Sequence, residues 1–200
     1  MSVFIDLIKG FDLECEGANF RKYFQNVVLI NRKDLKDYSI NSSSTLNSIL
    51  FNLLESKSGY LFRTTDNGGV INADFSKSEK NGIVTYEHKI EIAVTGVNEN
   101  SKTMLKQLDM ANYFGAIQFK DGTIEIHGFD YGLKTSNYTY TPQGLGGAII
   151  SLVSKYSEYD PPYVYAGNEA DFNNLFLDIP VFLAGDFNQD FSDDFFIQQI

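Results

Sequence analysis

Residues 83–94 limit what this chain can fold into more than any other stretch. Val84, Tyr86, His88, Ile90, Ile92 and Val94 alternate there with Thr85, Glu87, Lys89, Glu91 and Ala93. Successive side chains of a strand point to opposite faces. A period of two therefore sets one mostly apolar row against a core and one mostly charged row toward water. A helix would mix the two rows. The stretch requires a sheet with a buried face, and the rest of the chain has to supply its neighbours.

Those neighbours are legible. Val27, Val28, Leu29 and Ile30 form an apolar, largely β-branched run suited to a buried strand. Gly59, Tyr60, Leu61 and Phe62 read as another strand, followed by the turn Asp66-Asn67-Gly68-Gly69. Residues 116–119 and 123–129 flank Lys120-Asp121-Gly122, a hairpin pattern. Residues 137–141 and 148–153 read as two more strands around Pro142-Gln143-Gly144-Leu145-Gly146-Gly147. Residues 1–12 form a short amphipathic lead, and residues 31–45 are polar and turn-like.

The best helix spans 103–114. Ser101 or Thr103 caps it, Gly115 ends it, and Met104, Leu105, Leu108, Ala111 and Asn112 share one side. Residues 46–54 read two ways. Leu46, Ile49, Leu50, Leu53 and Leu54 have helical spacing with Ser43 to Thr45 as caps, yet Asn47, Ser48 and Asn52 are poor helix formers. The sum is a mainly β fold, a β-sandwich or small β-barrel, with one flanking α-helix. The main body carries no internal repeat.

Length and charge divide the chain. Its 200 residues suit one domain over 1–165 and an extension over 166–200. With 43% hydrophobic and 21% charged residues, global disorder is excluded. The net charge of −10 is uneven. All 16 Lys and Arg lie in residues 1–155, while nine of the 26 acids fall in 156–200. The extension repeats Asp-Phe at Asp186-Phe187, Asp190-Phe191 and Asp194-Phe195, after Asp171-Phe172. A four-residue step puts these Phe on one drifting helical stripe, which needs a docking surface on the body or on a neighbouring subunit. No basic run neutralises phosphates, so duplex readout and docking to an anionic membrane are not expected. An acidic wall repels DNA, which suits a conduit better than a binder. No secretory leader or membrane-spanning run is read, so a cytoplasm-like setting is expected.

Each possible chemical motif has a plainer reading. Cys15 is the one cysteine; a catalytic thiol needs a histidine beside it, and His88 and His127 both lie in strand-like segments. Cys15 reads as a small buried hydrophobe. His88 falls on the apolar face and reads as a buried, hydrogen-bonded side chain, with no other ligand at metal spacing. Gly144-Leu145-Gly146-Gly147 lacks the Lys-Ser/Thr of a phosphate loop and reads as a turn. Asp186, Asn188, Asp190, Ser192 and Asp194 imitate the start of a calcium loop, but Phe191 and Ile197 replace its glycine and its bidentate Glu. Asp130, near Gly128 and Gly132, is the one carboxylate worth weighing for hydrolysis, against a solvated loop acid. The expectation is no catalytic residue, no metal site and no cofactor.

Three stretches in order carry a resemblance. The first is Cys15, Gly17 and Val27-Val28-Leu29-Ile30-Asn31-Arg32-Lys33-Asp34-Leu35. The second is Gly82-Ile83-Val84-Thr85-Tyr86-Glu87-His88-Lys89-Ile90-Glu91-Ile92 with the helix after it. The third runs from Phe119-Lys120-Asp121-Gly122 through Ile126-His127-Gly128-Phe129-Asp130-Tyr131-Gly132-Leu133 to Pro161-Pro162-Tyr163-Val164-Tyr165. Over residues 13–165 this order resembles tail-tube-like virion structural proteins of tailed bacteriophages. The resemblance implies a sandwich or barrel with one helix, and a strand at 46–54. It further implies self-assembly into homo-oligomeric rings or a tube with other virion tail proteins, in the virion, built in the host cytoplasm, with DNA as passing cargo. The acidic Phe-rich extension departs from that pattern. A head or capsid-surface protein is a variant of this reading. A carbohydrate-binding or adhesin β-sandwich is the alternative, resting on Tyr131, Tyr138, Tyr140, Tyr156, Tyr159, Tyr163 and Tyr165, with the lack of Trp against it. A carboxylate-dependent hydrolase ranks last.

Overall fold

A computed structural model describes residues 24–42, 47–63, 71–95, 99–141 and 147–176. Along these residues run β1 (Phe24–Asn31), a 3-10 turn (Arg32–Asp34), β2 (Leu35–Ser42), β3 (Asn47–Leu53), β4 (Tyr60–Arg63), β5 (Ile71–Lys80) and β6 (Ile83–Thr95). Next come α1 (Glu99–Asp109), β7 (Tyr113–Phe119), β8 (Ile124–His127), β9 (Leu133–Thr141), β10 (Gly147–Ser154), β11 (Tyr163–Tyr165) and α2 (Glu169–Asn173). The strands form one mixed sheet with the path β2-β3-β11-β8-β7-β9-β10-β6-β5; β1 pairs with β7, and β4 with β1. The β11–β3 pair is parallel. The path is open, with β2 and β5 at its ends. The fold is mainly β with a helix on its flank.

Its centre is a strand pair buried on both faces. Val27 and Leu29 of β1, with Ile117 and Phe119 of β7, enter a first core shared with Ile90 and Ile92 of β6, with β10, and with Leu105 and Leu108 of α1. Val28 and Ile30, with Phe114 and Ala116, enter a second core that includes Ile49, Phe51, Ile126, Tyr163 and Phe172. Strands with two buried faces read as continuous apolar runs, which is why residues 27–30 show no alternation. Burial of each such aliphatic side chain contributes about 1.5–3 kcal/mol. β6 shows the expected alternation over 87–92, where His88, Ile90 and Ile92 are buried and Glu87, Lys89 and Glu91 are more open; Ala93, in the outward row, is buried too.

Two local expectations change and one open reading is resolved. The helix over 103–114 is instead α1 at Glu99–Asp109, and β7 begins at Tyr113. Helical spacing runs on through Phe114, but Tyr113 and Phe114 face different cores, as neighbours in a strand do. Gly115 is therefore a strand residue. A Cβ there would lie 2.3 Å from Ile90 Cδ1, so glycine lets β6 pack close across β7. Of the segment 46–54, which read two ways, Asn47–Leu53 form the strand β3, as the resemblance implied. Residues 31–45 hold a 3-10 turn and β2, an end strand whose exposed residues need no alternating pattern. The ten-residue β5, the opposite end strand, is polar for the same reason and gave no strand signal.

Residues 166–176 of the extension pack on the body. Asn168 and Asp171 cap α2 reciprocally, each side chain accepting the other's backbone N–H at 3.0 Å. Phe172, Leu175 and Phe176 enter the second core, and Gly59 donates its N–H to Leu175 O at 2.7 Å. The amphipathic lead over 1–12, Cys15, the Asp66 to Gly69 turn, the glycine turn up to Gly146 and the Asp-Phe repeat from Asp186 lie outside the described residues.

Candidate functional site

The chemistry-bearing side chains gather where three segments meet. These are the middle of β6, the turn between β8 and β9 (residues 128–132), and the connection between β10 and β11 (residues 155–162). A period-two pattern carries His88 inward two residues before Ile90, so a polar ring sits at the end of an apolar row. Its exposure is 1%. Nδ1 accepts the Gly128 N–H at 2.9 Å, which places the proton on Nε2, 3.1 Å from Asp160 O. Burial first, and the His127 ring second, hold His88 down at about 4, so the ring is neutral near pH 7.

Glu158 ties the same segments in the reverse sense. It is 0% exposed. Its backbone exchanges two hydrogen bonds of 2.7 Å with Tyr86 on β6. Its carboxyl accepts the Asp130 N–H on Oε2 at 2.9 Å and the Tyr131 N–H on Oε1 at 3.1 Å. Those donors favour the anion, but burial outweighs them, and Glu158 is pushed up to about 7. The Asp130 carboxyl hydrogen-bonds to it and is itself raised, by burial first and by Asp160 next, against the pull of Glu158 and Arg32. The Arg32 guanidinium donates to Asp130 O. Tyr163 OH donates to Asp160 Oδ2 at 3.0 Å and lies 3.5 Å from both Asp130 carboxylate oxygens; burial and Asp130 push its phenol up. Asp160 Oδ1 accepts from Asn47 Nδ2 at 3.0 Å, linking β3.

His127 lies beside this junction, its ring 5.4 Å from that of His88. It is buried, and neither ring nitrogen has a hydrogen-bond partner among the described residues. Glu125 Oε2 is 3.6 Å from its Nε2. No group of three or more His, Cys, Asp or Glu among the described residues is placed to hold a metal ion.

Above the junction, at the surface, is an aromatic patch. Tyr131 packs edge-on against Tyr156 at 5.8 Å and against Tyr159 at 6.2 Å, and Lys155 Nζ lies 4.9 Å from the Tyr156 ring centre. Tyr156 and Tyr159 are more than half exposed. Of the other tyrosines weighed for sugar contact, Tyr163 and Tyr165 are buried in the second core and Tyr138 is exposed on β9.

The arrangement can share and hold protons. Asp130 and Glu158 touch one another, whereas a retaining glycosidase holds its two carboxyls about 5 Å apart across a bond. Sequence reasoning had singled out His88 and Asp130 separately but had missed Glu158, Asp160 and Arg32. Glu158 sits in the polar stretch Lys155-Tyr156-Ser157-Glu158-Tyr159-Asp160, which reads as a solvated loop. No protein-family model, curated protein or solved structure matches the chain.

Proposed function

We propose that this protein is a non-enzymatic structural component of a phage tail that self-assembles into rings or a tube conducting DNA. The observation that carries the reading is the open sheet. β2 and β5 each have one neighbouring strand among the described residues, and each offers a row of backbone groups that a second copy can pair. Both carry exposed apolar side chains, Tyr38 and Ile40 on β2 and Phe75 on β5, which such pairing would cover. A heterologous contact of one end strand on the other generates a ring when the rotation closes. The acidic balance of residues 156–200 suits a surface along which DNA slides without sticking.

Negative-stain electron microscopy across a concentration series, with mass photometry alongside, tests this. Rings or tubes of uniform diameter are the expected result. A strict monomer at every concentration overturns self-assembly. A second reading, sugar binding, draws on the clustering of Tyr131, Tyr156 and Tyr159 at one exposed spot. Binding on a glycan array by the monomer, lost in Tyr159→Ala, would favour it.

A further inference from the structure

His88 and Glu158 form a reciprocal brace. His88, on β6, bonds the turn through Gly128 N–H and the connection through Asp160 O. Glu158, on the connection, bonds β6 through its backbone and the turn through both carboxyl oxygens. Each of the three segments is thus tied to the other two by buried hydrogen bonds. The connection carries Tyr156 and Tyr159, and the turn carries Tyr131, so the brace also shapes the surface patch.

One part of the brace is set by proton count. A solvent-excluded carboxyl against a second carboxyl cannot keep both in the anionic form without strong repulsion. The groups facing Glu158 are Asp130 and Tyr131 from the turn and Tyr163 from β11, with Asp160 of the connection beside Asp130 and Tyr163. Arg32, from the 3-10 turn, and His88, from β6, also border the junction. The Arg32 guanidinium, which also donates to Asp130 O, favours the anion of Asp130, and His88 is neutral, so Glu158 is the member of the pair that holds the proton.

We propose that Glu158 and Asp130 share one proton, and that its loss loosens the 155–162 connection from the β8–β9 turn and reshapes the Tyr131–Tyr156–Tyr159 patch. The latch is closed in mildly acidic solution and opens as the pH rises past neutrality. It is independent of whether the protein assembles.

Hydrogen exchange of the full chain, followed from pH 6 to pH 8.5 and corrected for intrinsic exchange, tests it. In the wild type, opening of segments 128–132 and 155–162 becomes easier relative to Glu158→Gln by about tenfold across that range, while β1 and β7 show no such change. A constant ratio of wild type to E158Q overturns the proposal. If E158Q does not fold, Asp130→Asn decides. Removing the second carboxyl removes the repulsion and lets Glu158 ionise below this range, so the tenfold change between pH 6 and pH 8.5 disappears; a profile like that of the wild type overturns the latch.

Discussion

On one face of β6, two residues apart, the molecule uses two kinds of cohesion. Ile90 enters the first core, where aliphatic side chains from five strands and α1 exclude water. His88 enters the junction, where both of its ring nitrogens make directed hydrogen bonds. Hydrophobic packing has no preferred partner and no proton to lose, so it holds the sheet at any moderate pH. The junction ties two irregular segments to the strand β6, and it does so with groups that titrate. Backbone N–H groups in those segments need acceptors once buried, and His88 and Glu158 provide them.

The largest break in this contrast is Phe114→Ala. Phe114 is fully buried in the second core, and truncation costs about 4 kcal/mol. Urea unfolding gives the same loss at pH 5 and at pH 8, because no titratable partner is removed. Gly128→Ala strikes the turn. Gly128 has φ +68°, and a Cβ would lie 2.4 Å from Leu133 Cγ, so left-handed strain and overpacking together cost about 3 kcal/mol. A loss below about 1 kcal/mol would mean the turn relaxes freely, contrary to a rigid brace.

The pH dependence sharpens the contrast next. His88 is depressed to about 4 in the fold from an ordinary 6.5, so its stabilisation is present above pH 6.5 and is lost as pH falls toward 4. Glu158 is raised to about 7 from 4.5, so its stabilisation is present below pH 4.5 and is lost as pH rises through 7. Each limb amounts to about 3 kcal/mol, and between pH 4.5 and 6.5 the two slopes oppose one another. Wild-type stability is therefore nearly flat in that window. His88→Leu should unmask a decline with rising pH, and Glu158→Gln a rise. Parallel profiles for the two variants would remove the titrating junction from the comparison. The smallest effect is Asn168→Ala, which removes the α2 cap outside both regions and shifts the urea midpoint by about 1 kcal/mol with no pH dependence.

Legibility followed the same division. The alternation at 83–94, the run at 27–30 and the Asp121-Gly122 hairpin were visible because each depends on local period or turn chemistry. The end strands β2 and β5 were not, since a strand with exposed residues needs no apolar row. Tyr113 and Phe114 extended a helical spacing by coincidence, and only pairing with Leu133 and Ile30 made them strand residues. In the junction, His88 was correctly placed on the inward face by period alone. Glu158 was invisible because burial of a loop carboxylate depends on which segments fold over it.

By itself, then, the sequence determined a mainly β chain with a helix on its flank, a buried apolar strand at 27–30, and an acid excess confined to residues 156–200. Those follow from side-chain period and composition, which act over a few residues. The tertiary structure decided that the sheet stays open at β2 and β5, that Phe172 and Phe176 belong to the second core, and that Asp130 meets Glu158. Contacts between residues 28 positions apart arise only when the chain returns on itself, and the protonation of such a pair is a property of the space they share.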